Sequence, residues 1–112
     1  HILVGARFAK ANLRKTNLVG ADLSNTNFSR ANLAQAALKN AKLISAHLSG
    51  TNLEGADLRG ANLSRAMLKS AKLTGANLCG ADLTGATVTE AQIATARTNW
   101  STIHPNGRRT FR

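Results

Sequence analysis

The chain is poor in the side chains that usually fill a globular core. It has three phenylalanines, one tryptophan and no tyrosine among 112 residues, so packing around large aromatic rings is excluded as the main source of stability. Its one cysteine, Cys79, excludes an internal disulfide and has no histidine partner in the sequence pattern, which favours a free thiol, exposed at a corner, over a nucleophile. The compartment is therefore left open, with a slight preference for the cytoplasm.

The chain also has few acidic residues and no long apolar segment. Five Asp and Glu stand against fifteen Lys and Arg, giving a formal net charge of +10. The carboxylates lack a paired partner for acid–base catalysis, and the three histidines lack the spacing of metal ligands. No apolar run reaches the roughly 18 residues of a membrane-spanning helix, and no signal-peptide pattern is visible. We predict no enzyme, no cofactor, no metal, no small-molecule substrate and no membrane span.

Leucine and alanine, in contrast, are abundant, and every leucine falls in one five-residue register. Nineteen positions spaced by five residues between 3 and 93 are apolar, and fifteen of them are Leu. The other four are Phe8, Phe28, Val88 and Ile93. The position two residues before each, from 6 to 91, holds Ala or Thr. The rule is a small residue, Asn or Asp, Leu, a variable residue, and then Gly or a polar residue, as in the stretch 76–86.

A period of five fits neither a helix nor a continuous strand. On a helix, successive Leu would turn by about 140° around the axis instead of forming a stripe. On a strand, a small residue and the Leu two positions later point to the same face, with Asn or Asp pointing outward between them. Because five is odd, a corner must reset the alternation after every unit. The pattern therefore predicts three extended residues followed by a turn.

The fifth residue of each unit is predicted to lie at a corner. Eight of the nine glycines stand there, at the third position of a four-residue turn, where type II geometry needs a positive φ. Asn25 and Asn40 suit the same conformation. Larger side chains disfavour positive φ, so we expect a different turn with negative φ at six corners that hold longer side chains. These corners are Lys10, Lys15, Arg30, Gln35, Arg65 and Glu90.

A chain of such corners closes on itself and climbs, so that successive coils stack as parallel strands about 4.8 Å apart. The number of sides per coil does not follow from the spacing. The Ala-Asn/Asp-Leu-x-x units, however, resemble those of pentapeptide repeat proteins over residues 6–97. This resemblance implies an all-β fold, a right-handed quadrilateral parallel β-helix with about twenty residues per coil and about five coils, with Leu, Phe and the small residues inside.

The register ends before the C-terminus. We predict a β-helix over residues 1–97 and a capping segment or tail over residues 98–112, because Thr98 stands where Leu belongs. Trp100 and Ile103 are expected to fold over the last coil and hide its open end. The sequence Pro105-Asn106-Gly107 predicts a turn, and Phe111 is expected to extend the cover or to dock on another subunit.

The N-terminal coil has no evident cap. Ile2 and Val4 are apolar at outward positions beside the inward Leu3, so these terminal residues are either frayed or covered by another segment or molecule. A dimer through a terminal coil would cover them.

Residues twenty apart are expected to stack, so that outward side chains form ladders. One ladder consists of Asn12, Asn32 and Asn52, continued by Lys72 and Gln92. Stacked amides can hydrogen-bond along a ladder, and we interpret the Asn residues as structural for that reason. Inside the coils, Phe8 and Phe28 stack and fill the N-terminal half of the interior.

Basic residues concentrate on one side and at the N-terminal rim. Lys10 and Arg30 would be neighbours in adjacent coils, where like charges repel. An anionic partner would relieve that repulsion, although two long side chains can also splay into water. Lys39 and Arg59 stack on another side, where Asp57 compensates them. The candidate partner-binding residues are Arg7, Lys10, Arg14, Lys15, Arg30 and Lys69.

Several units lack Asn or Asp at the middle position. Because this position points outward, a substitution there lowers the stability of the fold only slightly. The substitutions therefore reflect either a binding surface or neutral drift. The residues concerned are Ala37, Lys42, His47, Met67 and Lys72.

Three functions are compatible with this reading. The first is a non-catalytic structural or interaction module for a protein partner, which the family resemblance supports. The second is sequence-independent binding of a polyanion, either nucleic acid or an acidic membrane surface, because the net charge is +10 and outward aromatics for base stacking are missing from the repeats. The third, a DNA mimic that occupies a topoisomerase, is implied by some family members but needs an acidic surface of the opposite sign.

Overall fold

The computed structural model describes residues 3–109 and confirms the predicted fold class. The chain winds into a right-handed, four-sided parallel β-helix measuring 36 × 22 × 21 Å. Each strand is reduced to a single parallel bridge between residues twenty apart, as from Asn27 to His47 and from His47 to Met67. The one helix in the described range, α1, comprises Glu90–Ala94 and lies in the last coil.

The four sides of the β-helix follow each other along every coil. Wall A comprises residues 6–10, 26–30, 46–50, 66–70 and 86–90, and wall B comprises the five residues after each of these. Wall C follows wall B in the same way, from 16–20 onward, and wall D follows wall C, from 21–25 onward. Side chains that share a wall and a position in the unit therefore form columns, one residue per coil.

A five-residue unit such as 26–30 satisfies all five of its backbone N–H groups, which explains the sequence rule. In the unit 26–30, the first N–H donates to the Leu23 carbonyl across the corner at 3.1 Å. The second donates to the coil before and the third and fifth donate to the coil after, at 2.8–2.9 Å. The fourth, Ser29 N–H, donates to Oδ1 of Asn27 at 3.0 Å. Asn or Asp at the middle position is therefore the acceptor for the one N–H that the stacked backbones leave over.

This local bond replaces the predicted amide ladder. Asn12, Asn32 and Asn52 do stack through their backbones, as expected. Their amide oxygens, however, accept the N–H two residues later, at 3.3, 3.0 and 3.0 Å. The Asn residues are structural in the described chain, but they act within a unit instead of between coils.

The corners all share one backbone conformation, so the predicted negative φ is wrong wherever a unit has a corner. The corner φ values lie at 58–63° for non-glycine residues and at 66–75° for the corner glycines. The corner N–H is bound by the next coil, as from Arg30 to the Ser49 carbonyl at 2.9 Å, and this bond outweighs the steric preference of the side chain. The corrected residues are Lys10, Lys15, Arg30, Gln35 and Arg65, whereas Glu90 lies in α1 instead of at a corner.

The interior is filled by Leu and Ala from the second coil onward. Leu23 through Leu83 are buried at every fifth position, and Phe8 stacks on Phe28 with ring centroids 5.5 Å apart, as predicted. The inward Thr hydroxyls are satisfied, since Thr51 Oγ1 donates to the Phe28 carbonyl at 2.7 Å. In the first coil the inward side chains are only partly buried. They are Leu3, Phe8, Leu13 and Leu18.

α1 replaces a regular unit of wall B and removes Gln92 from its predicted ladder. Thr89 is the N-cap, and it forms a capping box with Gln92. The Gln92 side-chain amide then donates to the carbonyls of Leu68 and Ala71 at 2.8 and 3.0 Å, taking over bonds to the coil below. Ile93 keeps its inward position and is 3% exposed, as the periodicity predicts.

The segment after α1 rejoins the β-helix instead of folding across its end. Arg97 and Ile103 form parallel bridges with Asn77 and Asp82, with one extra residue accommodated between them. Trp100 lies in that turn and is 67% exposed, so the prediction that it covers the last coil is wrong. The buried positions in this part of the chain are taken by Ile93 and Thr102, which leaves Trp100 on the outside of the turn.

The predicted turn around Pro105 is confirmed. Gly107 has a φ of 82°, and its N–H donates to the His104 carbonyl at 2.8 Å. Ile103 also pairs antiparallel with Arg109. Ile2 and Phe111 lie outside the described residues, and the division of the chain at residue 97 stays a prediction.

A candidate anion-binding groove on wall A

The six predicted partner-binding residues are all exposed on the walls. Within residues 3–109, the ion pairs join Arg59 to Asp57 at 2.7 Å and His104 to Glu90 at 3.0 Å. None of the six takes part in an ion pair or donates a side-chain hydrogen bond to another described residue. They are Arg7, Lys10, Arg14, Lys15, Arg30 and Lys69.

The Arg59–Asp57 pair on wall C is compensated internally, as predicted. Arg59 donates to the Asp57 carboxylate through Nε at 2.8 Å and through Nη2 at 2.7 Å. These bonds, helped by the charge of Lys39, lower the pKa of Asp57 below its ordinary value. The bonds to Asp57 and its negative charge also raise the pKa of Arg59. The Arg59 charge is therefore neutralised within wall C and does not require an external anion.

Wall A carries an open groove of about 360 Å³ whose cations, unlike Arg59, have no carboxylate beside them. Its lining combines two cations with three hydroxyl side chains and contains no carboxylate. The lining residues are Ser29, Arg30, Ser49, Gly50, Lys69 and Ser70. The structure thus brings Arg30 and Lys69 together, although they are 39 residues apart (69 − 30).

Gly50 allows the Arg30 side chain to run along the groove. Lys10 and Arg30 are neighbours in adjacent coils, as predicted, because Lys10 N–H donates to the Ser29 carbonyl at 2.9 Å. On the other side of Arg30, a Cβ added to Gly50 would lie 3.2 Å from Arg30 Cγ. The Arg30 side chain therefore lies over Gly50, away from Lys10 and toward the coil that carries Lys69.

Ser49 N–H and Lys69 N–H, at the fourth position of two successive units of wall A, have no acceptor in the described chain. The corresponding N–H of Ser29 is bound by Asn27. In the next two units the middle residues are His47 and Met67, which provide no such bond. Because the outward Asn side chain normally reaches this N–H, both free donors face the outside of the wall. A third N–H of the groove lining, that of the corner residue Ser70, also has no acceptor in the described chain.

A second groove of about 360 Å³ on wall B provides a contrast. It contains one of the predicted cations, Arg14, but also the carboxylate of Glu54. The N–H groups of Arg14 and Glu54 are both bound by Asn side chains, at 3.3 and 3.0 Å. The remaining predicted cations, Arg7, Lys10 and Lys15, line neither groove.

A further depression of about 540 Å³ lies between wall A and α1, and it shares Lys69 and Ser70 with the wall A groove. In the described part of the chain, no group of three or more His, Cys, Asp or Glu is placed to hold a metal ion. The same residues include no helix long and apolar enough to cross a membrane. Cys79, expected to be exposed, is half-buried.

The stacked units and their inward Leu define a class of right-handed β-helix built from five-residue repeats. The family model for pentapeptide repeats matches in eight copies, over overlapping segments from residue 2 to residue 97. The chain belongs to the pentapeptide repeat family. No curated protein matches it.

Several solved structures are similar. A pentapeptide repeat protein from the thylakoid lumen of Arabidopsis thaliana is 30% identical with a TM-score of 0.67, and the match covers 82% of this chain and 71% of that one. A pentapeptide repeat protein from Nostoc PCC 7120 is 27% identical with a TM-score of 0.55, covering 83% and 84%. One from Cyanothece 51142 is 32% identical with a TM-score of 0.43, covering 92% and 90%.

Sequence reasoning missed the polar half of the groove. It selected Arg30 and Lys69 by charge, but not the serines or the two free N–H groups. The signal was present in the departures from the unit rule at His47 and Met67. Those departures become informative only with the knowledge that the middle Asn binds the N–H two residues later.

Proposed function

We propose that the protein is a non-catalytic interaction module that presents the walls of its β-helix to a protein partner. Members of its family are in general structural or interaction proteins. The observation that carries the proposal is a filled interior under walls whose cations are largely unpaired within residues 3–109. Such walls are rigid and need no rearrangement to meet a partner with an acidic surface.

The test compares two walls with matched loss of charge. Three cations of wall A are replaced by residues typical of the repeat, as Lys10→Gly, Arg30→Gln and Lys69→Ser. Three cations of wall B are replaced in the same way, as Arg14→Ala, Lys15→Gly and Lys72→Asn. All but Arg30→Gln copy a residue of the same column, and Gln35 has the same φ of 59° as Arg30.

Affinity purification from the source cell with the wild type and both variants gives the answer. A partner that the wild type retains should be lost with one triple variant and kept with the other, because a folded partner contacts a particular wall. Equal loss with both variants would contradict the proposal and indicate attraction by net charge. No partner above background for the folded wild-type protein would also contradict it.

A second candidate function is sequence-independent binding of a polyanion, and the unpaired cations favour it. Titration of labelled duplex DNA and of vesicles containing anionic lipid would show binding that weakens steeply between about 50 and 200 mM salt. Absence of binding at about 50 mM salt would end this alternative. A dimer through a terminal coil is required by neither function and stays a prediction.

A further inference from the structure

We propose that the groove of Arg30 and Lys69 on wall A binds a phosphate group, carried by a phosphorylated segment of the protein partner. The protein nature of the partner rests on the proposed function. The phosphate site rests on the groove alone, so it can be tested with inorganic phosphate before any partner is known.

The first argument is the pair of backbone donors. Ser49 N–H and Lys69 N–H lie at the same position of adjacent coils, so they are about 4.8 Å apart and point to the same side. Both lack an acceptor in the described chain, whereas Asn27, in the same column as His47 and Met67, binds Ser29 N–H at 3.0 Å. Two N–H groups that face the same side at this spacing are placed to donate to separate oxygens of one oxyanion.

The second argument is the charge around these donors. The Arg30 side chain lies over Gly50, and Lys69 stands on the opposite border of the groove. Neither cation is paired within residues 3–109, and no carboxylate lines the groove. The hydroxyls of Ser29, Ser49 and Ser70 make no hydrogen bond to another described residue and complete the set of donors. Charge-assisted bonds from such a set are the strong ones.

The number and placement of donors favour a phosphate monoester over other anions. Such a group carries about −1.5 to −2 charges at neutral pH and three acceptor oxygens, which matches two cations and several neutral donors. A carboxylate has two oxygens and one charge. A nucleic-acid backbone presents a row of singly charged phosphates and would need the donor set repeated along the wall. Free N–H groups at the fourth position of successive described units of one wall occur only at this groove.

Inorganic phosphate is the first probe, with amide shifts of the ¹⁵N-labelled protein as the readout. In the wild type, titration should move the amide signals of Ser49, Gly50 and Lys69. The decisive variant is the double change His47→Asn and Met67→Asn, which alters no formal charge at neutral pH and copies Asn27 in the same column. Its new amides would accept the two N–H groups, so phosphate affinity should fall about tenfold while thermal stability is kept or raised.

Two further variants separate the groove from general electrostatics. Arg30→Gln should weaken phosphate binding about tenfold, because it removes a charge-assisted donor. Arg14→Ala removes one charge from the wall B groove, copies Ala34 of its column, and should leave the Ser49 and Lys69 shifts unchanged. Equal weakening by Arg14→Ala and Arg30→Gln would overturn the proposal, as would undiminished binding by the double Asn variant.

The source of the phosphate is tested with peptides. A fluorescent pool of phosphoserine peptides with random flanks should bind at least about tenfold better than the same pool without phosphate, and the double Asn variant should remove that preference. Duplex DNA that binds the wild type and the double Asn variant equally, with no preference for phosphorylated peptides, would overturn the phosphopeptide assignment. If a partner is captured as strongly after phosphatase treatment, the phosphate site fails while the interaction module stands.

Discussion

At the scale of single residues, the corner residue of each unit is the place where the backbone is strained. Nine non-glycine residues adopt positive φ there, a conformation that costs an L-residue roughly 1–2 kcal/mol. In eight of them the corner N–H is bound by the next coil, which holds this conformation, as in the bond from Ser45 N–H to the Ser64 carbonyl at 2.9 Å. The fold therefore carries removable strain at corners whose side chains have no other role.

Ser45→Gly should stabilise the protein by about 1 kcal/mol, because Gly adopts positive φ without the steric penalty. Ser45 has a φ of 58°, and its hydroxyl makes no hydrogen bond within the described residues. Urea denaturation measures the change. Ser24→Gly is the control, one position before a corner, and should destabilise by about 0.5–1 kcal/mol. The same sign for both substitutions would contradict this account of the corner.

Asp57 provides a pH-dependent contribution to stability. Hydrogen bonding from Arg59 lowers its pKa in the folded state. A depressed pKa means that the contribution is fully present above the unfolded pKa of about 4 and is lost as the pH falls through the lower, folded value. Asp57→Asn should therefore destabilise at neutral pH by up to about 1 kcal/mol, since the pair is partly exposed, and should have a smaller effect in acid.

Denaturation midpoints of the wild type and Asp57→Asn, taken from pH 7 down to pH 2, test this prediction. The two curves should converge as the pH falls below about 4. A constant difference across that range would show that the carboxylate charge is not responsible.

At the scale of elements, α1 shows how one polar side chain keeps the last coil attached. The helix interrupts the backbone ladder, so the Ala71 carbonyl receives its bond from the Gln92 side-chain amide. The same amide also donates to the Leu68 carbonyl, which already accepts Ala71 N–H. The Gln92 Oε1 accepts Thr89 N–H at 2.9 Å in the same arrangement. Gln92 thus joins α1 to the coil below by two hydrogen bonds, and a third bond caps α1 itself.

Gln92→Glu should destabilise by about 2 kcal/mol or more, because it keeps the acceptor but places a carboxylate against two carbonyl oxygens. Thr89→Ala is the matched change on the capping box and should cost about 1 kcal/mol. Thermal unfolding measures both. Amide exchange should accelerate first in residues 87–97 of the Glu variant. A uniform acceleration through all coils would contradict a local role for Gln92.

At the scale of the whole molecule, the coils do not contribute equally. Leu53 is fully buried between coils, whereas Leu13, in the same column, belongs to the first coil and is only partly buried. The four first-coil side chains have a stacked neighbour on one side only among the described residues. Stability in a solenoid is the sum of such neighbour contacts.

Leu53→Ala should therefore cost about 3–5 kcal/mol, including the cavity it leaves, and Leu13→Ala should cost less than half as much. Both changes remove the same atoms from the same column, so intrinsic propensity cancels. Chemical denaturation followed by circular dichroism gives the two values. Equal losses would show that the first coil is as well packed as the middle of the β-helix.

The sequence predicts most of the fold because its period is coupled to the core. Each Leu at a fifth position must be inside, and the structure places Leu23 through Leu83 there. The sequence does not predict the corner φ at residues such as Lys15, because local sterics favour the opposite sign and only the next coil overrides them. Nor does it predict α1, since Ile93 keeps the period inside the helix.

The candidate site could be predicted only in part. Charge selects Arg30 and Lys69, but their approach across one groove depends on the absence of a side chain at Gly50. The N–H groups of Ser49 and Lys69 are free because His47 and Met67 do not provide the acceptor that Asn provides in other units. No residue type in the sequence marks such a free N–H group. That is why the serines and backbone groups of wall A are visible only in three dimensions.

The bond between each middle Asn or Asp and the N–H two residues later has an evolutionary consequence. Replacing one such residue, as at His47 or Met67, uncovers a single donor while the interior stays intact. Every wall is thus a grid of hydrogen-bonding sites that point mutations can open or close individually. A repeat of this kind can gain a ligand-binding site through the loss of an Asn or Asp side chain, and no additional loop is required.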